Sequence, residues 1–266
     1  MKKLGLALGA GGSRGLAHIG FLKALEEAQI PVYCISGTSM GSVVGACYAA
    51  GVSIEQMERE IDEIKPSDLI DLSVHPLKKL GLLKAGKMRE KLKTLLGDKK
   101  ISDLNFPFCC TAVDVLKGKE KVFCADERAY ECVAASSSIP GIFCPAEIDG
   151  VLYVDGGIMS RLPIEECRKL GADVVVTVDV LGEIREEEKL PNIFSVMFRI
   201  IDIYDGNATR YKLKEYHPDL YLAPDLGNMS QYKFDGLKEA IEVGYRLGKD
   251  HIPEIKKLIG LDVESD

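Results

Sequence analysis

The sequence predicts a three-layer α/β/α fold with a mainly parallel central sheet, and two observations support this prediction. Near the start, an apolar strand over 3–10 leads into a helix over 16–28, and a strand over 32–36 leads into a helix over 43–50. Strands that alternate with helices in this way form parallel sheets covered by helices on both faces. Further along, Val174 to Val180 is almost purely β-branched, which is typical of a strand buried on both faces.

The remaining elements are separated by turn and cap residues. Asp149-Gly150 is a hairpin signal, and Pro163 and Gly171 bracket a short helix. Helices are predicted from Ser53, where Gln56 takes the capping-box position, and over 87–96, 128–136, 163–170, 194–211, 235–249 and 251–259. Strands are predicted over 106–115, 121–124, 146–148, 151–154, 174–180 and 220–222.

Length and composition predict one large domain over 1–266, with a motif-bearing core over about 4–181 and a helical tail over about 182–266. The net charge of −7 gives no reason to expect a nucleic-acid partner. No apolar run approaches the roughly 20 residues of a membrane span, and glycine interrupts the first strand too early for a signal peptide. A cytoplasmic location is expected, with peripheral contact to a membrane left open.

The eight cysteines are scattered through mostly apolar stretches, and none lies in a C-x-x-C pair. This pattern predicts buried free thiols in a reducing compartment rather than a disulfide framework or a zinc site. The sequence also lacks a D-x-D-x-D-G calcium loop. No metal and no cofactor is expected.

Ser39 is the candidate nucleophile. It lies in Gly37-Thr38-Ser39-Met40-Gly41, a G-x-S-x-G pattern placed where a strand turns sharply into a helix. A nucleophile elbow requires that context, because the serine occupies a strained turn while the glycines allow close backbone approach. The amides and the positive dipole end of the following helix point toward any oxyanion formed there. A plain tight turn is the alternative.

The glycine-rich loop over 9–15 offers further donors. It lacks the G-x-G-x-x-G register and the acidic second-strand residue of a dinucleotide site, and no Gly-Lys-Ser/Thr follows for a phosphate loop. Its backbone N–H groups lie at a helix start beside the elbow strand, which suits an oxyanion hole. For Arg14 three roles stay open: steadying the loop, meeting an anionic substrate group, or lying solvated at the surface.

The candidate base is a carboxylate. Asp155 ends an apolar strand and precedes two glycines, and sites in α/β proteins gather at the carboxyl ends of parallel strands. A half-buried carboxylate with a raised pKa can accept the serine proton directly, although Asp-Gly is also a common turn. Of the four histidines, His18 is expected to pack within a helix and His75 lies beside Pro76. His217 or His251 would complete a formal Ser-His-Asp triad.

Three motifs in order resemble the patatin-like phospholipase family: Gly11 to Gly15, Gly37 to Gly41, and Asp155-Gly156-Gly157. The stretch 135–145 also resembles the family's segment ahead of its aspartate, and the likeness covers roughly residues 4–180. The resemblance implies the three-layer fold, a Ser-Asp dyad without histidine, and hydrolysis of lipid acyl esters through an acyl-enzyme. It implies that Ser39 is the nucleophile and Asp155 the base, with an oxyanion loop of Gly11, Gly12, Ser13 and Arg14 and a further donor in the Met40 amide.

Two other functional classes remain as alternatives: a catalytically idle lipid-binding or regulatory module, and a Ser-His-Asp esterase or thioesterase. Substrate choice is assigned to the tail and to residues 53–96, and no oligomeric state is predicted. A leucine-rich group either lines an acyl-chain groove, contacts a membrane surface or packs in the core, and core packing is slightly favoured. It comprises Leu69, Ile70, Leu72, Leu77, Leu80, Leu82 and Leu83.

Overall fold

The computed structural model describes residues 1–63, 71–72, 83–84, 86–184, 186, 189–233 and 235–261, with backbone alone at 71, 72, 84 and 194. Its strands are β1 Leu4–Leu8, β2 Cys34–Thr38, β3 Asp71–Leu72, β4 Leu83–Lys84, β5 Phe108–Asp114, β6 Lys119–Phe123, β7 Ala146–Ile148, β8 Val151–Asp155, β9 Val174–Val178 and β10 Leu220–Leu222.

The α-helices are α1 Ala17–Glu27, α2 Met40–Ala49, α3 Ile54–Glu63, α4 Gly86–Leu96, α5 Ala129–Ser136, α6 Gly157–Ser160, α7 Ile164–Lys169, α8 Ile193–Tyr216 and α9 Leu237–Ile259. Two 3-10 helices cover Gly12–Leu16 and Ile101–Asp103. The predicted cap of α3 is present, since the Gln56 amide donates to Ser53 Oγ at 3.2 Å.

The main sheet has eight strands in the order β10-β9-β1-β2-β5-β8-β7, and β6 pairs with β5 off this path. The five strands from β10 to β5 are mutually parallel. β6 and β8 run antiparallel to β5, and β7 runs antiparallel to β8. The predicted mainly parallel α/β sheet is therefore confirmed. The expectation that Asp155 ends one of the parallel strands was wrong, because β8 forms a hairpin with β7 and enters the sheet in reverse.

Both faces of the sheet are covered, as the three-layer prediction requires. Along β1, Leu6 and Leu8 point into a large core shared with α1, α2 and α9, whereas Ala7 points to the opposite face. There it packs with Val175 and with Ile164 of α7. Side chains alternate between faces along a strand, so the nearly continuous apolar runs of β1 and β9 supply both cores.

The C-terminal helix differs from its prediction. The sequence predicted separate helices over 235–249 and 251–259, but α9 is one helix with Pro253 inside it. An internal proline removes one hydrogen bond and crowds the preceding turn. Ile255 and Ile259 are completely buried and anchor the turns after Pro253. Helix stability in proteins comes mostly from such packing, which explains why the helix continues.

α9 lies against α1 at a distance that only glycine allows. A Cβ atom at Gly20 would overlap the Ile241 carbonyl oxygen, and one at Gly244 would overlap the Ala17 carbonyl oxygen. The two backbones therefore touch directly, and this contact holds α1 behind the glycine loop. Among the described helices, none combines the length and hydropathy needed to cross a membrane.

Candidate active site

Ser39 lies at a strained turn between β2 and α2, as the elbow motif predicts. Its φ of 53° and ψ of −125° fall where L-residues are rare, and such conformations persist only where the surroundings enforce them. The Ser39 carbonyl accepts the Ser42 and Val43 amides at 2.8 and 3.1 Å. A Cβ at Gly41 would overlap the Leu8 carbonyl oxygen, so the turn is pressed against the end of β1.

β5 brings Ser39 and Asp155 together. β2 pairs in parallel with the first half of β5, placing Thr38 opposite Thr111, and β8 pairs in antiparallel with the second half, placing Asp155 opposite Ala112. Both use the same edge of β5, because β6 occupies the other edge at both positions. β2 and β8 therefore run toward each other, and their carboxyl ends meet beside the middle of β5.

The Ser39 side chain lies close enough to the Asp155 carboxylate to act on its pKa as a hydrogen-bonding group, and both residues line one cleft. The carboxylate accepts the Gly157 amide at 2.8 Å. Burial raises the pKa of Asp155 from its usual 3.8 to about 6, although Ser39 and the Gly157 amide both act to lower it. Desolvation outweighs these two groups because the carboxylate is 6% exposed and has no cationic partner in these contacts. Asp155 is thus ionised at neutral pH yet far more basic than a surface aspartate.

The end of α5 supports both residues, a role that the sequence did not reveal. The Ser39 amide donates to Ser136 Oγ at 3.0 Å, and the Asp155 amide donates to the Ser138 carbonyl at 2.9 Å. One short segment therefore fixes the backbone of the candidate nucleophile and of the candidate base. It belongs to the stretch that carries the family resemblance, and the run of three serines was the available signal.

The amides of the glycine loop divide into two groups. The Ser13 amide donates to the Gln231 carbonyl and the Arg14 amide to the Gly11 carbonyl, both at 3.1 Å. The Gly11, Gly12 and Met40 amides have no hydrogen-bond partner in the described part of the chain. Gly11 and Gly12 also line the same cleft as Ser39. Of the five donors named from the sequence, these three amides are left with the capacity to bind an oxyanion.

Arg14 steadies the glycine loop. Its side chain is buried, and its Nε donates to the Val180 carbonyl at 2.8 Å. Nη1 reaches the Met229 carbonyl at 3.4 Å. The alternative of a solvated surface cation was therefore wrong. The guanidinium ties the loop to the end of β9 and to the tail.

The cleft at Ser39 is partly open to solvent. One wall is apolar and consists of Ile139, Pro140, Ile158, Leu181 and Ile201. The other is polar and consists of Asp202, Asp205, Gln231 and Tyr232. Ile201 and the polar wall all come from the tail, so the tail shapes the cleft.

Two carboxylates of α8 in this wall were missed from the sequence. Asp202 accepts hydrogen bonds from Gln231 and Tyr232, both at 3.0 Å, and Asp205 pairs with the buried Arg161 at 3.0 Å. Arg161 also pairs with Asp179 at 2.8 Å. Burial raises the pKa of Asp202 and raises that of Asp205 to about 7, although the Arg161 guanidinium that Asp205 shares with Asp179 acts to lower it. Two acids three residues apart in the mostly apolar first half of the helix were the usable signal.

No histidine in the described residues lines the cleft. His18 is buried, its Nε2 donates to the Gly9 carbonyl at 2.9 Å, and burial lowers its pKa to about 4, so packing was the right prediction for it. His217 is exposed at the C-cap of α8, and His251 Nδ1 bonds the Leu247 carbonyl within α9 at 2.8 Å. His75 lies outside the described residues. The described histidines therefore give the triad alternative no support.

The leucine-rich group is largely outside the described residues. Only Leu83 is described with its side chain, which is half-buried, and Leu72 with its backbone. The Leu83 amide donates to the Ile142 carbonyl at 2.9 Å, near the apolar wall of the cleft. Leu69, Ile70, Leu77, Leu80 and Leu82 are not described, so the choice between groove, membrane contact and core stays open for them.

The order of motifs, the elbow and the fold agree with one family. A model of the patatin-like phospholipase family matches residues 6–168, and the chain belongs to that family. An uncharacterized NTE family protein of Mycobacterium tuberculosis is 34% identical over 180 residues, which are 68% of this chain and 49% of that protein. Lysophospholipase NTE1 of Coccidioides immitis is 28% identical over 100% of this chain and 18% of its own length. The chain thus spans about half of the first relative and less than a fifth of the second.

Solved structures show the same fold at low sequence identity. VipD from Legionella pneumophila aligns with a TM-score of 0.55 at 13% identity, over 97% of this chain and 67% of VipD. Human GIVD cytosolic phospholipase A2, solved with a fluorophosphonate inhibitor, aligns with a TM-score of 0.50 at 11% identity, over 97% of this chain and 59% of that enzyme.

Proposed function

We propose that this protein is a serine acyl hydrolase that cleaves carboxylic esters of lipids, of the phospholipase A or lysophospholipase type, through a Ser39-Asp155 dyad. The observation that carries the proposal is that Ser39, at a strained strand-to-helix turn, and a buried, basic carboxylate line the same cleft beside apolar side chains. Membership of the patatin-like phospholipase family and the likeness to a fungal lysophospholipase support the lipid substrate.

The first step is acylation. Asp155 accepts the hydroxyl proton while Ser39 Oγ attacks the ester carbonyl carbon, and the carbonyl oxygen becomes an oxyanion. The Gly11, Gly12 and Met40 amides and the N-terminus of α2 stabilise that charge. The tetrahedral intermediate then expels the alcohol, which takes the proton from Asp155, and the acyl group stays on Ser39.

The second step is hydrolysis of the acyl-enzyme. Asp155 accepts a proton from water as the water oxygen attacks the acyl carbonyl, and the same amides hold the new oxyanion. Collapse returns the proton to Ser39 Oγ and releases the fatty acid. The apolar wall from Ile139 to Ile201 holds the acyl chain by burying its methylene groups, at about 0.8 kcal/mol each.

A fluorophosphonate probe tests the proposal, because such probes phosphonylate only an activated serine. We expect one probe molecule per chain, attached to Ser39 and located by peptide mass spectrometry. Ser39→Ala should not be labelled, whereas Ser53→Ala, which removes the exposed cap of α3, should be labelled like the wild type. An idle lipid-binding or regulatory module would take up no probe, and that result would overturn the hydrolase assignment.

Catalysis should rise with pH through about 6. Asp155 accepts the serine proton only when it is ionised, and burial raises its pKa to about 6. The kcat/KM for a soluble p-nitrophenyl ester should therefore fall about tenfold for each pH unit below that value and level off above it. The control is Asp205→Asn, because the Asp205 pKa is also raised, to about 7. If the inflection disappears in Asp205→Asn, it reports the titration of Asp205, and the assignment to Asp155 is wrong.

A further inference from the structure

The exposed apolar side chains of this protein are concentrated on one helix. In the described residues, large hydrophobic side chains that are at least a third exposed number twelve, and seven of these lie between Leu190 and Tyr211. The seven are Leu190, Ile193, Met197, Ile200, Ile203, Tyr204 and Tyr211. Single exposed apolar residues are normal on a protein surface, whereas a contiguous patch marks an interaction site.

Five of these side chains form a stripe along α8. At 100° per residue, Ile193, Met197, Ile200, Tyr204 and Tyr211 fall within an arc of about 60°. They are between 48% and 74% exposed. Asp205 and Thr209 lie on the opposite side of the helix and are buried. One face of α8 therefore packs against the protein, and a second, apolar face is exposed to solvent.

This stripe lies next to the cleft. The same helix supplies Ile201 to the cleft lining about 40° from the edge of the stripe, and it supplies Asp202 and Asp205 from its side away from the stripe. Met159, which is 36% exposed, lies on α6, whose first residues Gly157 and Ile158 also line the cleft. A surface that contacts the stripe would therefore lie beside the cleft wall.

The charges beside the stripe favour an anionic surface. Arg210 and Lys214 are exposed along one edge of it, and the half-buried Arg199 lies on the same side about three turns before Arg210. Glu215 is the exposed acid of this helix, and the sequence of the preceding loop, 183–189, contains four glutamates, one arginine and one lysine. α8 thus carries a basic edge in a chain of net charge −7. Tyrosine rings and basic side chains beside an apolar stripe are typical of helices that lie in a membrane interface.

We propose that α8 docks this protein on an anionic lipid surface, with the stripe Ile193–Tyr211 in the interfacial layer and the cleft beside the lipids. The proposal rests on the proposed function in taking the substrate to be a lipid. Burying the stripe supplies the hydrophobic part of the binding, and the exposed Arg210 and Lys214 supply the electrostatic part. Substrate then enters the cleft from the membrane rather than from water.

Vesicle co-sedimentation of the full chain tests the docking. The wild type should bind vesicles of phosphatidylcholine with about one third phosphatidylglycerol, and added salt should weaken that binding. I193S/I200S should bind at least about tenfold more weakly, since it removes two exposed isoleucines. V115S/L116S, which removes two exposed apolar side chains from the β5–β6 turn, should bind like the wild type. R210E/K214E should lose mainly the preference for the anionic vesicles.

Hydrolysis of a soluble p-nitrophenyl ester separates docking from catalysis. I193S/I200S should keep the wild-type rate on that ester and lose rate on vesicle substrate alone. Failure of the wild type to bind vesicles, or equal binding by I193S/I200S, would overturn the docking proposal. If size-exclusion chromatography shows that the wild type is a dimer and I193S/I200S a monomer, the stripe binds a second copy of this chain instead of lipid. Vesicle binding without any turnover of the soluble ester would contradict the proposed hydrolase while the docking proposal stands.

Discussion

Asp155→Asn should lower the kcat/KM for a p-nitrophenyl ester by a factor on the order of 1000, because general-base catalysis contributes about 10²–10⁴. Asparagine has nearly the shape of aspartate, and its side-chain oxygen can still accept the Gly157 amide. Its NH₂ group faces Ser39 as a donor and cannot take the hydroxyl proton. Steady-state kinetics at pH 8, where Asp155 is ionised, measures the loss.

The fold should survive this change, and stability gives the control. The folded state raises the pKa of Asp155 from 3.8 to about 6. The fold therefore disfavours the charged form, and its contribution to stability falls as pH rises from about 4 to 6. At pH 8 Asp155→Asn should melt at the wild-type temperature or above it. His217→Ala and His251→Ala should keep full activity. Turnover that survives Asp155→Asn and disappears in either histidine variant would move the protein to the triad class.

Gly244→Ala should lower the free energy of unfolding by about 2–3 kcal/mol. The added Cβ would overlap the Ala17 carbonyl oxygen of α1. Because that neighbour is backbone, no side-chain rotation can relieve the overlap, and α9 must move away from α1. Alanine is otherwise the better helix former, so a loss of stability can only come from the contact. Urea unfolding followed by circular dichroism measures the change.

The matched control for Gly244→Ala is Glu242→Ala, an exposed position on the same helix whose nearest cation, Arg246, is also exposed. That substitution should change the free energy of unfolding by no more than about 0.5 kcal/mol. An unchanged or higher midpoint for Gly244→Ala would show that α1 and α9 separate without cost. The tight helix contact described above would then be wrong.

The sequence contained strong local signals for the candidate site. Glycine is needed two residues before and two residues after Ser39. A Cβ at Gly37 would overlap the backbone of Gly41 and Ser42, and one at Gly41 would overlap the Leu8 carbonyl oxygen. The strand-to-helix turn also leaves the serine at a φ of 53°. These demands act over a few residues, so they leave a pattern that can be read. Asp155 was recognised for the same reason, as the end of a strand followed by two glycines. Its predicted raised pKa agrees with the structure, which buries the carboxylate more fully than the predicted half-buried state.

Long-range placement left no such pattern. No local rule says that β2 and β8 approach the middle of β5 from opposite directions, although that pairing is what brings Ser39 to Asp155. The sequence also did not show which loop amides are hydrogen-bonded, since the Ser13 amide donates to the Gln231 carbonyl more than 200 residues away. Asp202 and Asp205 enter the cleft wall only because α8 packs beside it.

The sequence by itself determined the α/β class, the strained serine and the strand-end carboxylate. Each of these is set by backbone conformation within a few residues and by the alternation of apolar side chains. Only the tertiary structure decided which donors stay free, which carboxylate has the basicity of a proton acceptor and how the tail walls the cleft. Hydrogen-bond pairing and desolvation depend on segments that lie far apart along the chain, and these meet only once the protein has folded.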